Sequence, residues 1–169
     1  MKGFLLIAII LTVIGVDQIN LPKYAQKKVT KQLEELFPDQ SLSLQAVKLP
    51  SGKSSGTQLF ALKSGNTTKG FLYLDEAPSK FEHFNFMVIF NNDFTIKNVE
   101  VLIYREDYGG EICSRRWLRQ FEGKSAGKGM EYSDDIVGIS GATISCRSIT
   151  QHIKQLSLDM QEFRKLGII

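Results

Sequence analysis

The amino-acid sequence predicts an α+β fold, in which an antiparallel sheet packs against a long C-terminal helix and an additional N-terminal helix precedes the sheet. Three patterns predict it. Residues 57–104 carry four runs of β-branched and aromatic residues separated by short turns. Residues 136–163 place apolar side chains at steps of three and four after a glycine-containing turn. Residues 22–38 carry a second helical pattern between two prolines.

The size and charge of the chain limit its organisation. A chain of 169 residues is long enough for one well-buried core and too short for two comfortable domains. We therefore predict a single domain over residues 21–169, with its core at about residues 57–163. The net charge of +3 is small, and the Lys and Arg residues are dispersed along the chain. Nucleic-acid binding is therefore not expected.

An apolar run at residues 4–16 follows Lys2 at the N-terminus. Its length suits the hydrophobic core of a secretory signal and is below the roughly 17 to 25 residues of a transmembrane helix. We predict that residues 1–20 are a signal peptide or an uncleaved membrane anchor, with a buried core helix as the alternative. The protein is then exported, and lies in the periplasm or on the outer face of the cytoplasmic membrane.

The next segment predicts a helix followed by a short strand. Pro22 suits a first helical turn, and Pro38 ends the pattern. Between them, the apolar residues at helical spacing are Ala25, Val29, Leu33, Leu36 and Phe37. Alternating apolar residues at 42–46 then predict a strand.

Four strands are predicted beyond this point, at residues 59–62, 71–74, 84–90 and 96–104. Short turns join them, which favours an antiparallel sheet. In the last strand, Val99, Val101 and Ile103 alternate with Glu100 and Leu102, so we expect one face to be buried and the other to be at least partly wet. The C-terminal helix presents one apolar stripe and is the natural cover for such a sheet. This stripe consists of Ile149, Ile153, Leu156, Met160 and Phe163.

The start of the C-terminal helix has the chemical groups of a phosphate-binding site. A helix start leaves several N–H groups without partners and carries the positive end of the helix dipole. Ser140, Thr143 and Ser145 add hydroxyls, while Gly141 and Ala142 allow a ligand to approach closely. The alternative is that Ser140 merely caps the helix.

A second candidate segment, residues 104–112, connects the sheet to the rest of the chain. It contains the pair Gly109 and Gly110, which composition alone explains as a simple turn. In the functional interpretation, a flat ring system passes close to a backbone without Cβ atoms.

The tetrapeptide at residues 140–143 resembles the Ser/Thr-Gly-Ala-Thr motif of the FMN-binding domain family. That family includes the covalent-flavin subunits of Rnf complexes and of the sodium-pumping NADH:quinone oxidoreductase. The stretch 104–112, the basic and aromatic segment 115–121 and the Gly-Lys pair at 123–124 resemble further family segments. Residues 75–80 do so as well. The resemblance covers roughly residues 57–160.

This resemblance implies a site for covalent FMN. Thr143 would be joined to FMN by a phosphoester bond, and Lys124 would supply a counter-charge. Gly109, Gly110 and Glu111 would border the isoalloxazine ring. The residues around the attachment point that would hold the cofactor are Ser140, Gly141, Ala142, Ile144 and Ser145. The family pattern usually has Asp where this chain has Val137, and we expect Asp134 and Asp135 to suffice in its place.

The implied function is electron transfer by an extracytoplasmic flavoprotein, between a membrane redox component and another carrier, rather than catalysis by a stand-alone enzyme. A flavin transferase, which takes FMN from FAD, is the implied maturation partner. Two alternatives stay open. One is an envelope flavin reductase that acts on a small acceptor, with Glu111, Glu106 and Arg105 as candidate residues. The other is a flavin-free binding module, which Val137 favours.

The remaining reactive residues indicate no further site. Cys113 and Cys146 lack metal-ligand spacing, and we expect two separate, partly buried thiols. His83 and His152 lie far apart in sequence and are predicted to be surface or packing residues. No Ser-His-Asp pattern or dinucleotide-binding glycine motif is present in the sequence. The spacing of Trp117 to residue 121 favours a core position over stacking on a flavin.

Overall fold

The computed structural model describes residues 12–38, 40–50 and 56–169. Within these residues, a sheet and three helices confirm the predicted α+β class. The strands are β1 (Val13–Ile14), β2 (Leu42–Val47), β3 (Gln58–Ser64), β4 (Thr67–Pro78), β5 (His83–Asn91) and β6 (Ile96–Ile103). The helices are α1 (Lys23–Leu36), α2 (Arg115–Leu118) and α3 (Thr143–Lys165).

The sheet has six strands in the order β1-β2-β3-β4-β5-β6. The β1 and β2 strands are parallel, and every later neighbouring pair is antiparallel. Because β4 and β6 are both antiparallel to β5, they run in the same direction and end at the same edge of the sheet. The segments that follow β4 and β6 therefore leave the sheet at this edge, on either side of β5.

One face of the sheet packs against α3. Phe71 and Tyr73 of β4, together with Phe86 and Val88 of β5, belong to this hydrophobic cluster. All members of the predicted apolar stripe of α3 are buried in the same cluster, as the spacing predicts: Ile149, Ile153, Leu156, Met160 and Phe163.

The other face of the sheet packs against α1. Val29 and Leu33 of α1 are fully buried in a cluster with Leu72 of β4. The expectation of a partly wet second face on β6 is wrong for Leu102, which is 1% exposed in this cluster. The physical reason is that α1 covers this face, and the Lys28 ammonium donates a hydrogen bond to the Leu102 carbonyl at 2.9 Å.

The predicted leader, residues 1–20, lies only in part within the described residues. Strand β1 extends the edge of β2, and the Leu42 N–H donates to the Thr12 carbonyl at 2.9 Å. A 3-10 turn at Val16–Gln18 follows, and Ile19 is 2% exposed in the α1-side core. Residues 12–20 therefore pack as part of the domain. In the part of the chain that the structure describes, no helix is both long and apolar enough to cross a membrane.

Candidate functional site

A cleft of about 530 Å³ lies at the sheet edge where β4 and β6 end. We call it the motif cleft. Its walls are the segment after β4 at residues 79–81, residues from the segment 104–108 after β6, and residues 141–145 at the start of α3. Its volume falls within the roughly 300 to 1,000 Å³ of small-molecule sites.

The start of α3 exposes the groups that bind anions. Thr143 is the first residue of this 23-residue helix and is exposed to solvent. The Cys146 N–H makes the first helical bond, to the Ala142 carbonyl at 2.9 Å. The N–H groups of residues 143–145 therefore have no helix carbonyl to bind, and they lie at the positive end of the helix dipole. No side chain caps this helix, so Ser140 does not act as the cap considered from the sequence.

A chain of hydroxyl groups joins the three walls of the motif cleft. The Ser145 Oγ atom lies 2.6 Å from Ser79 Oγ and 3.1 Å from Tyr104 Oη. The Tyr104 hydroxyl donates to the Tyr108 carbonyl at 3.2 Å. These bonds fix the helix start to the segments that follow β4 and β6.

Glu106 holds the segment after β4 in place. Its Oε1 atom accepts hydrogen bonds from the N–H groups of Phe81 at 2.7 Å and Glu82 at 3.1 Å. The bond from Phe81, followed by that from Glu82, lowers the pKa of Glu106 below its ordinary value. Glu106 is therefore a carboxylate at neutral pH and a poor proton donor.

Arg105 is also occupied by structural contacts. Its guanidinium donates to the His83 carbonyl at 2.5 Å and to Asn85 Oδ1 at 2.8 Å. Two of the three candidate residues for a small-acceptor reductase therefore make structural contacts: Glu106 joins two walls of the cleft, and Arg105 holds the segment after β6 to β5.

Gly109 packs directly against the motif turn. Its φ angle is 77°, and a Cβ atom at this position would lie 2.9 Å from Ala142 Cβ and 3.1 Å from Tyr104 Oη. Gly109 therefore serves close packing as well as the turn. Gly110 begins a 3-10 turn at Gly110–Cys113, and Glu111 is exposed there. Neither of these two residues lines the motif cleft.

The lysine that lines the motif cleft is Lys80, whose Nζ atom lies 4.8 Å from the centre of the Phe81 ring. Lys124 lies outside the lining. Its carbonyl accepts from the Ile96 N–H at 2.8 Å, and its N–H donates to the Phe121 carbonyl at 3.2 Å. The bond with Ile96 ties the Lys124 backbone to the start of β6.

The structure brings most of the motif residues together. Those that line the motif cleft are Gly141, Ala142, Thr143, Ile144 and Ser145, and the exposed Ser140 precedes them. The sequence interpretation did not include Ser79, Phe81, Tyr104 and Tyr108 among the site residues. Their position in the sequence could have identified them, because each of these residues follows β4 or β6, and these two strands end at the same edge of the sheet. Phe81 is 79% exposed and Tyr108 is 84% exposed, so aromatic rings form the rim.

Trp117 belongs to the core, as its spacing predicts. It is 7% exposed, and its ring meets Phe121 edge-on at 5.6 Å. Its Nε1–H donates to the Val137 carbonyl at 2.6 Å, while the Val137 N–H donates to Gln120 Oε1 at 2.8 Å. The Val137 side chain is nevertheless 69% exposed, so its backbone is fixed and its side chain faces solvent.

The two cysteines are separate free thiols, as expected. Cys146 is buried and Cys113 is half-buried. Burial raises the pKa of both thiols above the ordinary value. Both are therefore protonated and weakly nucleophilic at neutral pH.

Comparison with known proteins adds one match. Residues 82–157 match the family model of the FMN-binding domain. This region includes the segment after β6, α2, the motif turn and most of α3. The match confirms the resemblance drawn from the sequence motifs. No curated protein matches the chain.

The motif cleft fits FMN in two respects. The helix start offers N–H groups for a phosphate, and the rim offers aromatic surface for a planar ring. The residues present are therefore compatible with this cofactor.

Proposed function

Because residues 82–157 match the family model of the FMN-binding domain, we propose that the protein is an extracytoplasmic flavoprotein that carries FMN on Thr143 through a phosphoester bond. In this proposal it relays electrons between a membrane redox component and another carrier. FMN supplies one-electron and two-electron redox chemistry when it is bound. The residues of the chain bind and orient the cofactor and leave its ring accessible to redox partners.

The position of Thr143 carries this proposal. Its side chain is exposed at the first residue of α3, in the wall of the motif cleft. A phosphate on its Oγ atom would lie beside the N–H groups at the start of the same helix, which stabilise negative charge. Lys80 is the cleft residue that would add a positive charge.

The open rim supports electron relay over catalysis on a small substrate. Phe81, Tyr108 and Ile144 are 79%, 84% and 52% exposed, so apolar surface borders the mouth of the cleft. A ring that packs against these side chains would keep an edge within reach of a partner protein. The ionised state of Glu106 is unfavourable for proton donation, which disfavours the flavin reductase alternative.

Maturation by a flavin transferase requires access to the motif turn. Ser140, Thr143 and the Val137 side chain are exposed on this side of the domain. The Asp135 Oδ2 atom accepts from the Glu131 N–H at 2.9 Å and so stabilises the preceding turn. That Asp134 and Asp135 suffice for flavin attachment, although position 137 holds Val, is part of the proposal.

The test is the intact mass of the protein made in a host that supplies the flavin transferase. Attack of Thr143 Oγ on FAD with departure of AMP adds one FMN less one water. We expect this gain in the wild-type chain and no gain in Thr143→Ala. The matched control is Thr67→Ala, which removes an exposed threonine from the opposite end of β4 and should retain the gain.

Other outcomes would contradict separate parts of the proposal. A gain that persists in Thr143→Ala would refute the attachment site. No gain in any variant, combined with a gain in Val137→Asp, would refute the expectation that Asp134 and Asp135 suffice. No gain even in Val137→Asp would favour the flavin-free binding module. Rapid turnover with small acceptors, without electron exchange with protein carriers, would favour the flavin reductase.

A further inference from the structure

The side chain of Ser145 is the point at which the three walls of the motif cleft meet. Ser145 is only 3% exposed, although it lies in the first turn of α3 and borders the cleft. Its Oγ atom lies 2.6 Å from Ser79 Oγ in the wall after β4, and 3.1 Å from Tyr104 Oη in the wall after β6. One hydroxyl group thus joins α3 to two segments that are distant from it in sequence.

The hydrogen atom of the Ser145 hydroxyl is already used in this cluster. The Tyr104 hydroxyl donates its single hydrogen to the Tyr108 carbonyl, so Ser145 is the donor in its bond with Tyr104. The Ser145 oxygen then accepts from the Ser79 hydroxyl. A phosphate oxygen in the cleft would need a donor, and Ser145 has no second hydrogen to supply. The contribution of Ser145 to the site is therefore indirect.

The first turn of α3 depends on tertiary contacts because no side chain caps the helix. Ala142 and Ser145 face the protein interior, at 4% and 3% exposed, whereas Thr143 and Ile144 are exposed. Successive residues of a helix point about 100° apart around its axis. Anchoring at positions 142 and 145 therefore sets the direction in which Thr143 projects.

We propose that Ser145 is a positioning residue for the attachment of FMN. Its buried hydroxyl locks the first turn of α3 to the segments after β4 and β6, and so holds Thr143 Oγ in the wall of the motif cleft. This inference rests on the proposed attachment to Thr143, and it gives Ser145 a role that needs no contact with the cofactor.

The attachment step makes the position of Thr143 Oγ important for the rate. In this step Thr143 Oγ forms a bond to the FMN phosphorus of FAD, the bond from that phosphorus to AMP breaks, and the hydroxyl proton passes to solvent. A displacement of a reacting atom by about 1 Å can cost about a hundredfold in rate. A first turn that is held less firmly should therefore react more slowly.

Two other buried serines of α3 provide matched controls. Ser148 lies one turn beyond Ser145, and its hydroxyl oxygen has no hydrogen-bond partner among the described residues. Ser157 Oγ accepts from the Gly127 N–H at 3.2 Å, about 18 Å along the helix from Ser145. Ser148→Ala thus removes a buried hydroxyl that makes no bond, and Ser157→Ala removes a bond that lies away from the cleft.

The first test follows FMN attachment to the full chain by a purified flavin transferase with FAD, measured as intact mass. We expect Ser145→Ala to lower the maximal rate about tenfold or more, while the KM for the chain changes by no more than about twofold. Tyr104→Phe and Ser79→Ala each remove one of the two bonds and should lower it about three- to tenfold. Ser148→Ala and Ser157→Ala should retain the wild-type rate.

The second test measures hydrogen exchange in the flavin-free protein. The Cys146 N–H makes the first bond of α3, to the Ala142 carbonyl at 2.9 Å. In Ser145→Ala this N–H should exchange about three- to tenfold faster, because the first turn opens more often. Ser157→Ala should leave its exchange rate unchanged, since the bond that it removes is distant from the first turn.

An attachment rate in Ser145→Ala equal to that of the wild type would overturn the inference. An equal loss of rate in Ser157→Ala would also overturn it, because the effect would then follow general stability. If Ser145→Ala does not fold, the same comparisons apply to Ser79→Ala and Tyr104→Phe.

The exchange measurement separates this inference from the proposed function. An unchanged Cys146 exchange rate in Ser145→Ala would overturn the inference whether or not FMN is attached. Faster exchange in Ser145→Ala, with no mass gain in any chain including the wild type, would support the positioning of the helix start and refute only the proposed function.

Discussion

Gly109 is a residue at which local conformation and tertiary packing make separate demands. Its φ angle of 77° favours glycine by itself, and its hydrogen atom faces Ala142 and Tyr104 at short distance. Gly123 has a φ angle of 78°, and a Cβ atom there would meet nothing within 4 Å. Both glycines therefore have a left-handed backbone conformation, but only Gly109 lacks space for a Cβ atom.

We predict that Gly123→Ala lowers the free energy of unfolding by about 1 to 2 kcal/mol, the cost of a left-handed alanine. Gly109→Ala should lower it by about 1 to 3 kcal/mol more, because the added methyl group overpacks the contact with the motif turn. Urea denaturation of both variants measures the difference. Equal losses would mean that Ala142 and Tyr104 move aside without cost.

Glu100 makes stability depend on pH. It lies half-buried on β6, where burial raises its pKa above the ordinary 4.5, against the smaller opposing effects of Lys28 and Arg115. The folded state therefore favours the protonated form. The contribution of Glu100 to stability is fully present below pH 4.5, the unfolded value, and is lost as pH rises through the raised folded value.

We accordingly predict that Glu100→Gln is more stable than the wild type at neutral pH and that the difference shrinks as pH falls. Urea denaturation between about pH 4 and about pH 8 measures it. Glu162→Gln, at an exposed position of α3, is the control and should follow the wild-type profile. A Glu100→Gln variant that is less stable at neutral pH would show that the charges of Lys28 and Arg115 outweigh burial.

At the scale of elements, α1 is an integral part of the fold although it lies outside the matched family region. Its apolar stripe covers the face of the sheet opposite α3. Leu33 is fully buried in this interface, whereas Tyr24 is 55% exposed on the same helix.

We predict that Leu33→Ala lowers the free energy of unfolding by about 2 to 5 kcal/mol, through lost burial and the cavity that remains. Tyr24→Ala should change it by no more than about 0.5 kcal/mol. Chemical denaturation followed by circular dichroism compares them. A small loss in Leu33→Ala would mean that α1 is dispensable for the stability of the sheet.

The helix α3 makes polar contacts with β4 and with the segment that follows it. Ser145, His152 and Asp159 are spaced seven residues apart, so they lie along one side of the helix, about 10 Å apart in successive steps. Ser145 contacts the segment after β4, and His152 lies near Asp75 of β4 itself. One polar stripe beside the apolar stripe of α3 thus aligns the start of this helix with the end of β4.

At the scale of the whole molecule, the central strands couple the two cores. In β4, Tyr73 belongs to the core on the α3 side and Leu72 to the core on the α1 side. In β5, Val88 belongs to the α3-side core and Met87 to the α1-side core. Loss of either core therefore exposes strands that the other core needs. We expect the two cores to unfold as one cooperative unit.

This expectation has a direct test, because Trp117 is the single tryptophan and reports on the α3-side core. In Leu33→Ala, which alters the α1-side core, the Trp117 fluorescence transition should move to the same lower denaturant concentration as the circular dichroism transition. The wild-type chain, in which both transitions should also coincide, is the reference. An unshifted fluorescence transition would mean that the cores are independent.

The sequence by itself determined the features that depend on neighbouring residues. The spacing of Ile149, Ile153 and Phe163 predicted the buried stripe of α3, since helical periodicity is local. The prolines at 22 and 38 bracketed α1 closely for the same reason. The motif at residues 140–143 indicated the start of α3 and the family whose model matches residues 82–157, because contiguous residues form it.

Tertiary structure alone decided which distant residues share a site. Ser79 and Tyr104 meet Ser145 because β4 and β6 run in the same direction and end at one edge of the sheet. Strand alignment likewise places Lys80, rather than Lys124, in the lining of the motif cleft. His152 Nδ1 lies 3.6 Å from Asp75 Oδ2 because α3 packs against β4. Such contacts depend on strand order and helix docking, which no local pattern in the chain encodes.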